Sequence, residues 1–143
     1  MSKKSEGLLI ESIRSVSLFS GLKESQLKSI ANACKDRTFE TGQVIVKEGE
    51  SGTGFYLIAE GSVEVQRKGK AISKLGSGDF FGEMSLLDNQ PRSADVVAST
   101  TTKCFVLTGW AFAGLLKSKP DIAVNMIKEL ISRLRGTDKA LTE

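Results

Sequence analysis

From Gly42 to Gly78 the chain is broken by glycine every few residues: Gly42, Gly49, Gly52, Gly54, Gly61, Gly69, Gly76 and Gly78. The apolar runs between them are too short for a packed helix and the right length for strands. They read VIV (Val44 to Val46), FYLIA (Phe55 to Ala59), SVEVQ (Ser62 to Gln66) and AISKL, with SADVVA and KCFVL following after a gap. Val63 and Val65 alternate with Glu64 and Gln66, which gives that strand one wet face. Arg67-Lys68-Gly69-Lys70 reads as a hairpin tip. The spacing over 37–108 predicts a jelly-roll β-barrel of eight short strands.

Helical periodicity flanks this zone. In residues 6–34, Leu9, Ile13 and Val16 share one face, and Leu27, Ile30, Ala31 and Cys34 recur at i, i+3, i+4, i+7. Ser20-Gly21 marks a break between them, after which Ser25 is placed to cap the second helix and Glu24 to favour its positive end. Residues 110–136 predict two more helices. The first is Ala111 to Lys117; the second, Asp121 to Arg135, carries an apolar stripe of Ile122, Met126, Ile127, Leu130, Ile131 and Leu134. Pro120 suits a first turn, Gly136 is read as the stop, and Thr137 to Glu143 as a frayed end. The expectation is one mainly β domain with flanking α, residues 1–143.

Composition narrows function by exclusion. The chain has no histidine, which removes Ser-His-Asp and Cys-His nucleophiles, histidine general bases and most transition-metal sites. A jelly-roll metalloenzyme of the cupin kind, which needs several histidine ligands, is disfavoured for the same reason. A net charge of +3 without a basic stripe argues against nucleic acid. No apolar run approaches the ~18 residues of a membrane span, and MSKKSEGLLIES lacks a signal-type apolar core. Cys34 and Cys104, far apart and without a CxxC, read as reduced core residues in a cytoplasmic protein.

The chemistry concentrates in GDFFGEMSLLDNQPRSADVVAS, Gly78 to Ser99. Gly82 lets backbone approach a ligand where a Cβ would collide. Met84 to Leu87 can form one helical turn whose first N–H groups make an anion site. The Glu83 carboxylate can accept two hydroxyl hydrogens, and the planar Arg92 fork can engage two phosphate oxygens. Pro91 fixes the approach to Arg92. Ser93 adds a hydroxyl and an N–H, and Ala94 leaves room. A structural Glu83–Arg92 ion pair is the competing reading of the same residues.

FFGEMSLLDNQPRSADV closely resembles the phosphate-binding cassette of the cyclic nucleotide-binding domain family, which includes the catabolite activator protein and the regulatory subunits of cyclic-AMP-dependent protein kinase. LFSGLKESQLKSIA is similar to the family's entry helices, and FETGQVIVKEGESGTGFYLIAEGSVEV to its first strands. GWAFAGLLKSKPDIAVNMIKELISRLR is similar to its closing helices. The resemblance implies that Glu83 accepts the ribose 2′-hydroxyl and that Gly82 lets the sugar sit close. It implies that Arg92 pairs with the cyclic phosphate, helped by N–H groups of Ser85 and Ser93, with Met84 and Ala94 completing the cassette. Val65 and Ile72 match positions that line the base pocket, and Ile127 or Leu130 would cap the base. At the Ser93 position alanine goes with cyclic AMP and threonine with tolerance of cyclic GMP. Serine can serve either; cyclic AMP is the expected ligand and cyclic GMP the alternative. Asp95 departs from the family pattern, and alternation puts it on the Ser93 face, where a solvated carboxylate is expected.

The resemblance implies a sensor in signal transduction whose output is binding, with no catalytic residue and no cofactor. On ligand capture the 121–135 helix would fold over the base. Its stripe could equally meet a protein effector or a second copy of the chain. A degenerate fold kept for protein contacts is the alternative function. The residues after Arg135 are too few for a DNA-reading helix-turn-helix, so the chain is either a stand-alone sensor, which Met1 and the polar tail suit, or a fragment.

Overall fold

In a computed structural model that describes residues 3–52 and 54–142, the strands form two four-stranded antiparallel sheets. In chain order the elements are α1 (Lys3–Ser15), a 3₁₀ turn (Ser17–Phe19), α2 (Glu24–Ala33), β1 (Lys35–Phe39), β2 (Val44–Val46), β3 (Phe55–Glu60), β4 (Ser62–Arg67) and β5 (Lys70–Gly76). Then come β6 (Phe80–Phe81), a second 3₁₀ turn (Glu83–Ser85), β7 (Asp95–Ala98), β8 (Thr102–Leu107), α3 (Gly109–Ser118) and α4 (Pro120–Thr142). One sheet has the order β1-β8-β3-β6 and the other β2-β7-β4-β5. This is the mainly β, jelly-roll arrangement with helices at both ends of the chain.

The unbroken apolar runs in β3 and β8 have a direct cause: these two strands lie at the centre of their sheet and are covered on both faces. Phe55, Leu57, Phe105 and Leu107 point into a core shared with Leu9, Ile13, Phe19, Ile30 and Phe112 of the helical layer. Ile58, Cys104 and Val106 alternate to the other side and meet Phe39, Val63, Val96 and Ala98 between the sheets. Phe19 anchors the helical layer, with its ring centroid 6.1 Å from Phe55 and 5.9 Å from Phe112. The Arg67–Lys70 tip is a two-residue hairpin, with Lys68 and Gly69 at φ 53° and 76°.

Several boundaries differ from the sequence reading. Two strands, β1 and β6, lacked a pattern of their own. KDRTF is mostly exposed and gains its partner only across the chain, at β8. Ser25 does not cap α2; Lys23 occupies that position, and its N–H donates to the Gln26 side chain at 2.8 Å. Gly136 does not end α4, whose backbone continues through Thr142. A glycine stops a helix by adopting a left-handed φ, and Gly136 is absent from the positive-φ glycines. Inside a helix its penalty is only about 1 kcal/mol against alanine, which the flanking helix formers offset. The fraying expected for 137–143 is therefore not seen through Thr142, and Glu143 lies outside the described residues. The predicted stripe on α4 also divides: Ile122 and Met126 are buried, whereas Ile127, Leu130, Ile131 and Leu134 are exposed.

Candidate cyclic-nucleotide site

Local geometry at Gly82 builds the site. Tyr56 on β3 pairs with Phe81 on β6, their rings stacked at 4.9 Å and 8°, and the chain then turns through Gly82 at φ 86°. A Cβ there would sit 2.3 Å from the Gly54 carbonyl oxygen and 2.9 Å from Arg92 Nη1. Only glycine fits. The following 3₁₀ turn is pinned from below by Leu86, which is buried in the helical core, while Met84 and Leu87 stay exposed. The turn is thereby fixed between the two: Leu86 in the core, Glu83, Met84 and Ser85 at the cavity.

A cavity of about 370 Å³ opens beside this turn, within the range of small-molecule sites. Gly82, Glu83, Met84 and Ser85 line it from one side, and Arg92, Ser93 and Ala94 from the other. Val65 contributes to the wall. Ile72 is not part of the lining. It lies half exposed on β5, where a bulge in the β4–β5 pairing follows the Val65–Ser73 pair and shifts the register. Ile127 and Leu130 also lie outside the lining, on the exposed face of α4.

The Arg92 backbone is held by two bonds: its N–H donates to the Glu50 carbonyl and its carbonyl accepts from Gly49 N–H, both at 2.9 Å. Its side chain is half buried, and Nη2 donates to the Gly54 carbonyl at 3.2 Å. Among the described residues no carboxylate lies within 4.0 Å of it, so the Glu83–Arg92 ion pair is absent. A half-buried guanidinium that has one neutral partner and lines a cavity keeps donors with which it can engage an anion.

The N–H groups sort differently from expectation. Ser85 N–H donates to the Gly82 carbonyl at 3.0 Å, closing the 3₁₀ turn, and so is already engaged. Those of Glu83, Met84 and Ser93 have no acceptor among the described residues. The first two are the leading donors that a short helical turn leaves open.

Opposite the cassette is an apolar wall that strand reading alone did not reveal. Val46, Val65 and Val96 all line the cavity, and the register explains why: Val96 pairs with Val46 on β2 and with Val65 on β4. Each valine sits in a run legible as a strand, but the row exists only once β7 lies between β2 and β4. Phe81 adds an aromatic edge. Asp95 is outside the lining, and its carboxylate is not simply solvated, since Oδ1 accepts the Glu48 N–H at 2.6 Å.

The cavity thus sets a cation and open N–H groups beside two carboxylates, Glu83 and Asp88, and an apolar wall. The sequence profile of the cyclic nucleotide-binding domain family matches residues 36–119, more than half of the chain. The chain belongs to that family. Among curated relatives, a cAMP-dependent protein kinase regulatory subunit of Debaryomyces hansenii is 38% identical over 111 residues, 77% of this chain and 25% of that protein. A cyclic nucleotide-gated potassium channel of Rhizobium etli is 36% identical over 127 residues, 89% of this chain and 36% of that protein. The domain therefore spans between a quarter and about a third of these longer relatives. Among solved structures, the N-terminal domain of a transcriptional regulator from Streptomyces coelicolor A3(2) superposes with a TM-score of 0.78 at 28% identity, covering 90% of this chain and 93% of that one. Among the described residues, no helix is long and apolar enough to cross a membrane, and no cluster of histidine, cysteine, aspartate or glutamate could hold a metal ion.

Proposed function

We propose that this domain is a sensor that binds cyclic AMP in preference to cyclic GMP and acts through binding rather than catalysis. The observation that carries the reading is Arg92, a guanidinium without a carboxylate partner among the described residues, facing the cavity that Gly82 and Glu83 also line. In this reading Arg92 and the open N–H groups of Glu83, Met84 and Ser93 receive the cyclic phosphate. Glu83 accepts the ribose 2′-hydroxyl. The row Val46, Val96 and Val65 carries the flat base, with Phe81 at its edge. Ser93 sets the balance between purines, since its hydroxyl can accept from a guanine amino group but does not require one.

Ile127 and Leu130 are exposed on α4 and lie outside the cavity lining, so in this reading α4 moves to bring one of them over the base. A change in that helix, read by a protein effector or by a second copy along 121–135, is the output of the module. Ile127 and Leu130 are already about half buried, at 54% and 42% exposure, so covering the rest against the ligand supplies about 1 kcal/mol each, roughly half of a full side-chain burial.

Calorimetric titration with cyclic AMP, cyclic GMP and linear AMP tests the assignment. Saturable binding of a cyclic form over linear AMP supports it, and the ratio of the two cyclic forms measures the role of Ser93. If no heat is seen, thermal melting decides, because ligand at 100 times its Kd stabilises by about 2.7 kcal/mol. No shift in either assay rejects the sensor in favour of a scaffold for protein contacts.

A further inference from the structure

Asp95 joins three segments that meet behind the phosphate-binding side of the cavity. Its Oδ1 accepts the Glu48 N–H at 2.6 Å. Glu48 lies in the turn Lys47–Glu50, closed by a Glu50 N–H to Lys47 carbonyl bond of 3.2 Å, and this is the turn that holds Arg92. Gly49 N–H reaches the Arg92 carbonyl, and Arg92 N–H reaches the Glu50 carbonyl. The Glu48 carboxylate continues the chain of contacts, accepting the N–H of Lys68 at the β4–β5 hairpin tip at 3.0 Å. From that hairpin, Arg67 Nε donates to the Ser93 carbonyl at 3.1 Å. On either side of Arg92, then, the backbone is held by a segment that Asp95 or its neighbours fix in place. Asp95 itself is half buried, pairs in register with Gln66 and does not line the cavity.

We propose that Asp95 is a positioning residue for Arg92: its carboxylate acts as a hydrogen-bond acceptor that locks the Lys47–Glu50 turn and so sets where the guanidinium meets the ligand phosphate. The inference rests on the reading of the cavity as a cyclic-nucleotide site and concerns what tunes it. A negative charge near an anion site would by itself weaken binding, so removing the charge and removing the acceptor have opposite expected effects. Asparagine keeps an acceptor oxygen and loses the charge; alanine loses both.

Cyclic AMP is titrated into the parent chain, Asp95→Ala, Asp95→Asn, Arg92→Ala and the Asp95→Ala/Arg92→Ala double variant, each first shown to be folded by its thermal melt. Asp95→Ala weakens binding about fivefold or more, Asp95→Asn stays within about twofold of the parent or binds more tightly, and Asp95→Ala causes no further loss in the Arg92→Ala background. Parent-like binding by Asp95→Ala overturns the proposal. So does a loss in Asp95→Asn equal to that in Asp95→Ala, or an undiminished Asp95→Ala effect without Arg92. Should Asp95→Ala fail to fold, Asp95→Ser, whose hydroxyl falls one bond short of the Glu48 N–H, takes its place with the same expectation. Should Arg92→Ala bind too weakly to titrate, the contrast between Asp95→Ala and Asp95→Asn decides. Parent-like binding by Arg92→Ala is a different failure, since it removes the site reading itself.

Discussion

Replacing Gly82 by alanine separates two effects that usually come together. The first is backbone strain: φ is 86° at Gly82, and a left-handed conformation costs an alanine roughly 1–2 kcal/mol. The second is collision, because the new Cβ would lie 2.3 Å from the Gly54 carbonyl oxygen and 2.9 Å from Arg92 Nη1. Relieving such an overlap in a packed region takes about 1–3 kcal/mol more. Gly42 supplies the control, with φ 87° and nothing within 4 Å of the position an alanine methyl would take. Gly42→Ala should therefore lose roughly 1–2 kcal/mol and Gly82→Ala roughly 2–5 kcal/mol. At about 4 °C per kcal/mol for a chain of this size, the melting point falls by about 4–8 °C and about 8–20 °C respectively. Titration adds the second readout. On the proposed reading, moving the Gly54 carbonyl or the guanidinium disturbs the contact of Arg92 with the cyclic phosphate, so a folded Gly82→Ala should bind cyclic AMP at least about tenfold more weakly while Gly42→Ala binds normally. Equal melting points for the two variants, or parent-like affinity in Gly82→Ala, would refute the close approach of Gly54, Gly82 and Arg92.

Arg92→Ala should keep the fold and weaken cyclic AMP binding at least about tenfold, since a charged hydrogen bond is worth roughly 1.5–3 kcal/mol; calorimetry reads it directly. Glu83→Ala should largely abolish discrimination against 2′-deoxy cyclic AMP, and retained discrimination would move the ribose contact elsewhere. Burial pushes the Cys34 thiol from the ordinary 9.0 up to about 12 and Cys104 up to about 11. The unfolded chain releases these protons above pH 9 while the folded chain keeps them, so stability falls from about pH 9 towards pH 11–12 by about 1.4 kcal/mol per pH unit for each thiol. Denaturant unfolding from pH 8 to pH 11 should show a shallower decline in Cys34→Ala than in the parent, and parallel curves would count against the burial argument.

The sequence was most legible where local physics and tertiary demand coincide. Short apolar runs predict β2, β3, β4 and β5 between glycines and β7 and β8 beyond them, and the 3.6-residue period predicts the helices, because each pattern needs only one buried face or two. The cassette was legible for a different reason. Gly82, Glu83, Arg92, Ser93 and Ala94 lie close in sequence, and their chemistry is specialised enough to stand out against packing. Two misses were local, at helix ends where neighbouring residues compete for the same role: Lys23 rather than Ser25 caps α2, and α4 runs through Gly136. The others depended on a partner distant in the chain. KDRTF has no apolar pattern, and it becomes β1 only by pairing with β8. The resemblance puts Ile72 at a base-pocket position, but the bulge in β4–β5 pairing leaves it outside the cavity lining.

Sequence alone therefore determined the fold class, the absence of histidine chemistry and which residues are candidates to meet a phosphate and a ribose. Tertiary structure decided their availability. Arg92 could have closed an ion pair with Glu83; the turn at Gly82 and the Lys47–Glu50 bracket leave it facing the cavity instead. The valine row opposite it comes from three strands brought together by register. Asp95, a departure from the pattern when read along the chain, gains its hydrogen-bond partner from Glu48 on a different segment. Local spacing encodes which groups a chain owns, whereas hydrogen-bond partners and cavities arise from non-local closure, and no window of sequence contains both sides of such a contact.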